Sequence, residues 1–252
     1  MYCLQLMQTH KTKGIVLRTV KYGETSIITT VYTELFGLQS YIVKGVRQSS
    51  KKNQGKANYF QPASILQMEV YHNELKQLQF VKEFQWENIY NTIFFNVIRN
   101  AVAVYIVELL QHCIKQPEAN PELFYLTEET LLAVDTSTES IVANIPIYFT
   151  LQLSSALGFL IRENFSSTNH TLDLKEGTFT NNIPTHTNYV TGEEVAAIAN
   201  LISIKNIDDL KNIQFNKTQR RQILQYLQTF MTLHVEGFAQ LRSIEVLQQI
   251  IS

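Results

Sequence analysis

Five basic side chains crowd one short stretch: Lys44, Arg47, Lys51, Lys52 and Lys56, with Arg18 upstream. Lysine and arginine at this density neutralise backbone phosphates without regard to base sequence. Tyr22, Tyr41, Tyr59 and Phe60 flank the stretch and offer ring faces on which bases could stack. A solvated loop beside core tyrosines has the same composition, and the residues alone leave the two readings open. Other chemistry finds little support. There is no Gly-rich phosphate loop, no HExxH pattern and no carboxylate pair at a telling spacing, so no catalysis and no cofactor is expected. Of the six histidines, His170 and His186 could approach a metal together with Asp173, but solvated loop histidines are the preferred reading. Cys3 and Cys113 are too few for a four-thiolate zinc site or a disulfide framework and fit a reduced, cytoplasmic protein.

The elements that must position these groups change character near Trp86. Before it, β-formers alternate over Thr12–Val20, Thr25–Thr33, Leu38–Val46, Ser64–Tyr71 and Leu75–Phe84, with turn signals between them. Five strands without an intervening helix predict a small antiparallel barrel. On the first strand, alternation puts Ile15, Leu17 and Thr19 on one side and Val16, Arg18 and Val20 on the other. The polar gap Gly45–Pro62 is too long for a plain hairpin and predicts a mobile loop. After Trp86 apolar residues recur at helical spacing over Asn88–Lys115, then Glu122–Asp135, where Asn120 and Pro121 form an N-cap and first-turn pair. Further helices are expected at Ser140–Arg162, Gly192–Ser203, Lys217–Phe238 and Ser243–Ile251. Asn164–Thr191 reads mostly as loop, with a short strand at Thr178–Thr180. The fold class is therefore α+β, with a barrel domain over 1–84 and a helical domain over 85–252 that carries a polar insertion near 164–191.

The net charge of −1 hides a division. Residues 1–84 hold eleven basic and five acidic side chains, a net of +6, and residues 85–252 hold ten and seventeen, a net of −7. That asymmetry points to a polyanionic partner for the first segment. No apolar run approaches the roughly 18 residues of a membrane span, so no membrane association is expected. Met1–Met7 lacks the pattern of a signal peptide, and Met7 is a candidate start because patterned sequence begins only near Lys13.

The order of these patterns resembles the RecO family. Thr12-Lys13-Gly14-Ile15-Val16-Leu17-Arg18 followed by Tyr22-Gly23-Glu24-Thr25-Ser26 is similar to that family's opening strand and turn. Phe36-Gly37-Leu38, Val43-Lys44-Gly45-Val46-Arg47 and Gln61-Pro62 resemble its next turn, third strand and basic loop. Asp173–Phe179 matches a middle segment of its Bacteroidetes-like members, and Leu233-His234 and Leu241-Arg242-Ser243 resemble its closing helices. The likeness spans nearly the whole chain and rests on order and spacing. One departure stands out: many members carry a four-cysteine zinc site where this chain has Asn164–Asn182 without a cysteine.

The resemblance implies an amino-terminal OB-fold and an all-helical carboxy-terminal domain. It implies binding of single- and double-stranded DNA, annealing of complementary strands, assembly with RecR, and binding of the acidic carboxy-terminal tail of the single-stranded DNA-binding protein SSB. Together these load RecA, in the cytoplasm at the nucleoid. Within that frame Arg18, Lys44, Arg47, Lys51, Lys52 and Lys56 are the expected DNA contacts. The SSB tail needs an apolar pocket beside a fixed cation. Arg162, expected at a helix end, and Arg99 on the first long helix are the candidates, with Arg220, Arg221 and Arg242 behind them. Two rivals stand beside this reading: an RNA-binding OB protein, and a nucleic-acid-processing enzyme, for which the clustered carboxylates or motif lysine are missing.

Overall fold

The alternating segments become a closed five-stranded barrel in a computed structural model that describes residues 8–48 and 55–250. The strands are β1 (Thr9–Tyr22), β2 (Ser26–Thr33), β3 (Gly37–Val43), β4 (Ile65–Tyr71) and β5 (Leu78–Trp86). Their order around the barrel is β1-β2-β3-β5-β4, closed by the β1–β4 pair. Every neighbouring pair is antiparallel except β3 with β5, which runs parallel. The wholly antiparallel barrel expected from the sequence is corrected at that one pair, because the β3–β4 connection crosses the barrel instead of turning back. A short 3-10 helix, Lys56–Phe60, lies on this connection, and the Thr19 hydroxyl donates to the Phe60 carbonyl at 2.8 Å. Residues 49–54, with Lys51 and Lys52, lie outside the described residues, as does the Met1–Met7 start.

The barrel interior is filled by Val16, Ile27, Val31, Tyr41, Leu66, Met68 and Val70, with Phe60 closing it. Gly14 belongs to this interior because a Cβ there would sit 2.5 Å from Met68 and 2.6 Å from Val31. At Gly37 the chain needs a left-handed φ of +61°, and a Cβ would lie 2.1 Å from the Glu118 carbonyl. The Ile114–Glu128 segment thus belongs to the barrel's compact unit, along with the residues up to Tyr90. In that segment the Tyr32 hydroxyl donates to the Asn120 carbonyl at 3.2 Å.

Asn91–Cys113 and Glu129–Ser252 form the second compact unit. Its helices are α1 (Val97–Cys113), α3 (Glu139–Ala156), α4 (Glu193–Ile202), α5 (Lys217–His234) and α6 (Ser243–Ile250). Helix α2 (Pro121–Thr136) is divided between the units. It starts as expected, with the Asn120 side chain accepting from the Leu123 amide at 3.0 Å. In this unit α1 packs on α3 and α6, and α3 on α5. Among the described residues no helix is long and apolar enough to cross a membrane.

Three helical expectations shift. The first long helix begins at Val97 and not at Asn88, because the Asp135 carboxylate captures the amides of Asn91, Thr92 and Ile93 at 2.8–3.0 Å and bends the chain there. The third ends at Ala156 and not at Arg162. Gly158, at a left-handed φ of +87°, lets its amide and that of Leu157 close back on the last turn. The fifth ends at His234, short of Phe238. The 164–191 stretch, read mostly as loop, holds a three-stranded antiparallel sheet, β7 (Thr178–Thr180), β6 (Thr171–Asp173) and β8 (Tyr189–Val190), with Leu172, Phe179 and Val190 buried beneath it.

Candidate nucleic-acid interface

A β-bulge decides which way Arg18 points. Val16 pairs with Val31 inside the barrel, but the register then shifts, and Arg18 pairs with Thr30. Leu17 is the extra residue, so Arg18 and Val20 face outward while Val16 faces in. The simple alternation that grouped Val16 with Arg18 and Val20 is corrected by this one residue.

Cross-strand partners share a face, so the register writes out the surface row by row. Arg18, Thr30, Ser40 and Leu78 form one outward row across β1, β2, β3 and β5. Val20, Ile28, Ile42 and Phe80 form the next. Val20 is 42% exposed, and the other three are half-buried. The Lys44 ammonium lies 5.0 Å from the Phe80 ring centre, a cation–π contact that keeps the charge at the edge of the strip. Arg18 and Lys44 are exposed and form no ion pair among the described residues. The result is an apolar strip rimmed by cations and flanked by the half-exposed ring of Tyr22. Such a strip suits unstacked bases, and its rim suits phosphates.

Arg47 holds the rim together. Its backbone amide donates to the Thr25 carbonyl at 3.0 Å and its guanidinium to the Gly23 carbonyl at 3.0 Å. Arg47 thereby ties the chain just after β3 to the β1–β2 turn. Lys56 is half-buried on the 3-10 helix. Lys13 and Lys82, by contrast, are spent. Lys13 reaches Glu128 at 3.1 Å and Glu87 at 3.4 Å, and Lys82 reaches Glu69 at 2.7 Å. Burial pulls the Lys13 ammonium down, but Glu128 and then Glu87 more than reverse this and hold it protonated above its usual range.

Two of the four rings offered for stacking are interior. Tyr41 falls on the inward phase of β3 and Phe60 closes the barrel from the 3-10 helix, so both are fully buried, and burial pushes the Tyr41 phenol well above its usual range. Tyr59 is stacked on Trp86, with ring centres 4.5 Å apart and planes at 17°, so one of its faces is covered. The strip residues Ile28, Ile42 and Phe80 were the ones missed. Their signal was present: they alternate with the buried Ile27, Tyr41 and Gln79.

In the second unit the two arginines proposed for an acidic peptide differ. The Arg99 guanidinium donates to the Val134 carbonyl and, at 2.7 Å, to the Ser137 carbonyl, closing the end of α2. Arg162 is exposed and lines a cleft of about 380 Å3 with Leu151, Leu160, Ile161, Ile202 and Lys205. Because α3 stops at Ala156, the helix-end charge argument for Arg162 lapses. Arg220 is half-buried and donates to the Asn144 side chain at 3.1 Å, while Arg221 and Arg242 are exposed. The histidines take ordinary places. His186 pairs with Asp173 at 3.3 Å, His170 is exposed, and His234 meets the Leu174 carbonyl at 2.9 Å.

Two family models divide the chain between them. The model described as recombination protein O N terminal matches residues 7–90, and that described as recombination protein O C terminal matches residues 95–243. Similar curated proteins carry the name DNA repair protein RecO. That of Flavobacterium psychrophilum is 32% identical over 96% of this chain and 99% of its own length. That of Bacteroides fragilis is 30% identical over 95% and 98%, and that of Azobacteroides pseudotrichonymphae 25% over 96% and 98%.

Proposed function

This chain belongs to the recombination protein O family, and from that premise we propose that it is a recombination mediator. It is a DNA repair protein and not an enzyme: its relatives are named for repair, not for a reaction. In our reading it binds single- and double-stranded DNA, anneals complementary strands and, with RecR, helps load RecA onto SSB-coated single strands in the cytoplasm. Residues 1–84 act as the DNA-binding domain and residues 85–252 as the partner-binding domain.

The observation that carries this reading is the outward face of β1, β2, β3 and β5. An apolar strip is left uncovered between Arg18 and Lys44, neither of which has an acidic partner among the described residues. A fold gains little from leaving Val20 exposed and Phe80 half-exposed beside cations without an acidic partner among the described residues, whereas single strands use both. Arg18, Lys44, Arg47 and Lys56 are the proposed phosphate contacts, joined by Lys51 and Lys52. The test is annealing of complementary oligonucleotides coated with SSB, with no nucleotide added. Duplex formation faster than with SSB alone is expected, and an unchanged rate overturns the reading.

For the SSB tail, acidic and ending in an apolar residue, the cleft beside Arg162 offers burial and charge together, while Lys205 at the same cleft is paired with Glu163 at 3.1 Å. Arg99 is the weaker candidate, since its guanidinium already serves two carbonyls. Titration of a labelled tail peptide should show weakened binding with Arg162→Ala. Unchanged binding by that folded variant moves the site to Arg221 or Arg242.

A further inference from the structure

The turn between β4 and β5 is fixed more firmly than a plain hairpin requires. Gln79, buried on the inward side of β5, reaches back into it. Its Oε1 accepts from the Asn73 amide at 3.1 Å, and its Nε2 donates to the carbonyls of Asn73 at 2.8 Å and Lys76 at 2.6 Å. The Asn73 side chain accepts from the Leu75 amide at 2.9 Å, and the Asn73 carbonyl from the Lys76 amide at 3.0 Å. What this tip holds out is Leu75, 95% exposed. Holding an apolar side chain in water gains the fold nothing, but a preformed tip lowers the entropy cost of binding.

Beside the tip is a cleft of about 580 Å3. Thr30 and Ser40 line it, and they are the outward neighbours of Arg18 in the same cross-strand row. Lys76 on the turn and Lys115 in the segment before α2 also line it, and both are exposed. Glu74 subtracts one charge. Burial, and then the neighbouring His10, hold the His72 imidazole below its usual range, so His72 adds no charge at neutral pH. The row that begins at Arg18 therefore runs through two hydroxyl-bearing residues into a pocket with a surplus of positive charge.

We propose that this cleft is a second subsite for single-stranded nucleic acid, in which Lys76 and Lys115 bind backbone phosphates and Leu75 packs against a base turned out of its stack. The inference rests on the barrel face carrying DNA, as proposed above. A strand crossing the Arg18 row continues over Thr30 and Ser40, whose hydroxyls suit phosphate or sugar oxygens. An apolar side chain on a rigid tip is the kind of wedge that separates neighbouring bases.

The experiment uses the full chain and thymidine oligonucleotides of increasing length, followed by anisotropy across a salt series. With Lys76→Gln/Lys115→Gln, affinity for the longer oligonucleotides should fall roughly fivefold, and the salt slope should shrink by about 1.4, two single-strand phosphate contacts at about 0.7 each. The shortest oligonucleotides should bind as before. Leu75→Trp places a ring at an exposed position, and its emission should be quenched on binding beyond any change from Trp86 in the parent. If the parent binds but the double variant keeps its slope and the new tryptophan reports nothing, the subsite is wrong and the barrel face stands. If the parent binds no oligonucleotide, the barrel reading itself falls, and the subsite with it.

Discussion

The two units set their best-placed cations to different uses, although Lys13 and Lys82 of the barrel unit are paired and Arg162 of the helical unit is exposed. In the barrel unit Arg18 and Lys44 face solvent without an acidic partner among the described residues, at the edge of an apolar strip. In the helical unit Arg99 closes a helix end, Arg220 braces the Asn144 side chain, and Lys205 pairs with Glu163 at 3.1 Å. Net charge of each segment pointed the same way, but only the partner of each cation gives it meaning. A barrel fixes its outer face through register, so exposed charge costs little there. A helical unit leaves carbonyls open at helix ends, and arginine is suited to closing them.

The largest effect is expected at an anion of the helical unit. Asp135 is buried and accepts from three successive amides and from the Thr92 hydroxyl. Burial raises its pKa, but these four donors more than offset that and hold the carboxyl below its usual value. Asp135→Ala leaves the donors unsatisfied and should cost about 2–4 kcal/mol, read as a fall in the melting temperature. Because the folded value lies below the unfolded one, the contribution is complete above about pH 4. It is lost as pH falls through the folded value. The difference in melting temperature between parent and variant should therefore narrow below pH 4, and a constant difference down to pH 2 would contradict this account.

Next in size is the barrel rim, where the effect should fall on binding and spare stability. Replacing Arg18, Lys44 and Lys56 together with Ala should weaken single-strand binding for all sequences alike and shrink the salt slope by about 2. The melting temperature should change by less than the equivalent of about 0.5 kcal/mol. A large loss of stability with an unchanged slope would make these cations structural and erase the contrast between the units.

The barrel could be read from sequence because a period of two survives in residues such as Leu66, Met68 and Val70, whose burial is the alternation itself. What escaped was the single extra residue at Leu17, which no composition marks and which turns Arg18 outward. Helix limits near Asn91 and Ala156 escaped for a different reason. One is set by a carboxylate more than forty residues away and the other by the backbone of Gly158, while the apolar period runs past both. Whether Tyr41 and Phe60 stack on bases or fill the core stayed open in the sequence, because an aromatic reads the same whether it faces a base or a core. The cleft at Arg162 depends on a loop fold that no local pattern encodes.

The smallest expected effect lies in the 164–191 sheet, a stretch without a cysteine. Asn164 acts there as a clasp: its Oδ1 accepts from the Phe179 amide at 3.0 Å and its Nδ2 donates to the Phe179 carbonyl at 3.0 Å. Asp173 shapes the β6–β7 turn by accepting from the amides of Lys175 and Glu176, while Leu172 and Phe179 supply the apolar base. These contacts tie β6, β7 and Asn164 together without a thiolate. Asn164→Ala removes both arms of the clasp from an exposed residue, so water recovers part of the loss and the cost should be about 1 kcal/mol. In a chain of this size that lowers the melting temperature by about 2–4 °C. A strong chelator should leave the parent's melting curve unmoved, and elemental analysis should find no stoichiometric zinc. One zinc per chain, with a melting curve that drops on chelation, would point to His170, His186 and Asp173. The sheet would then be held by metal rather than by the clasp.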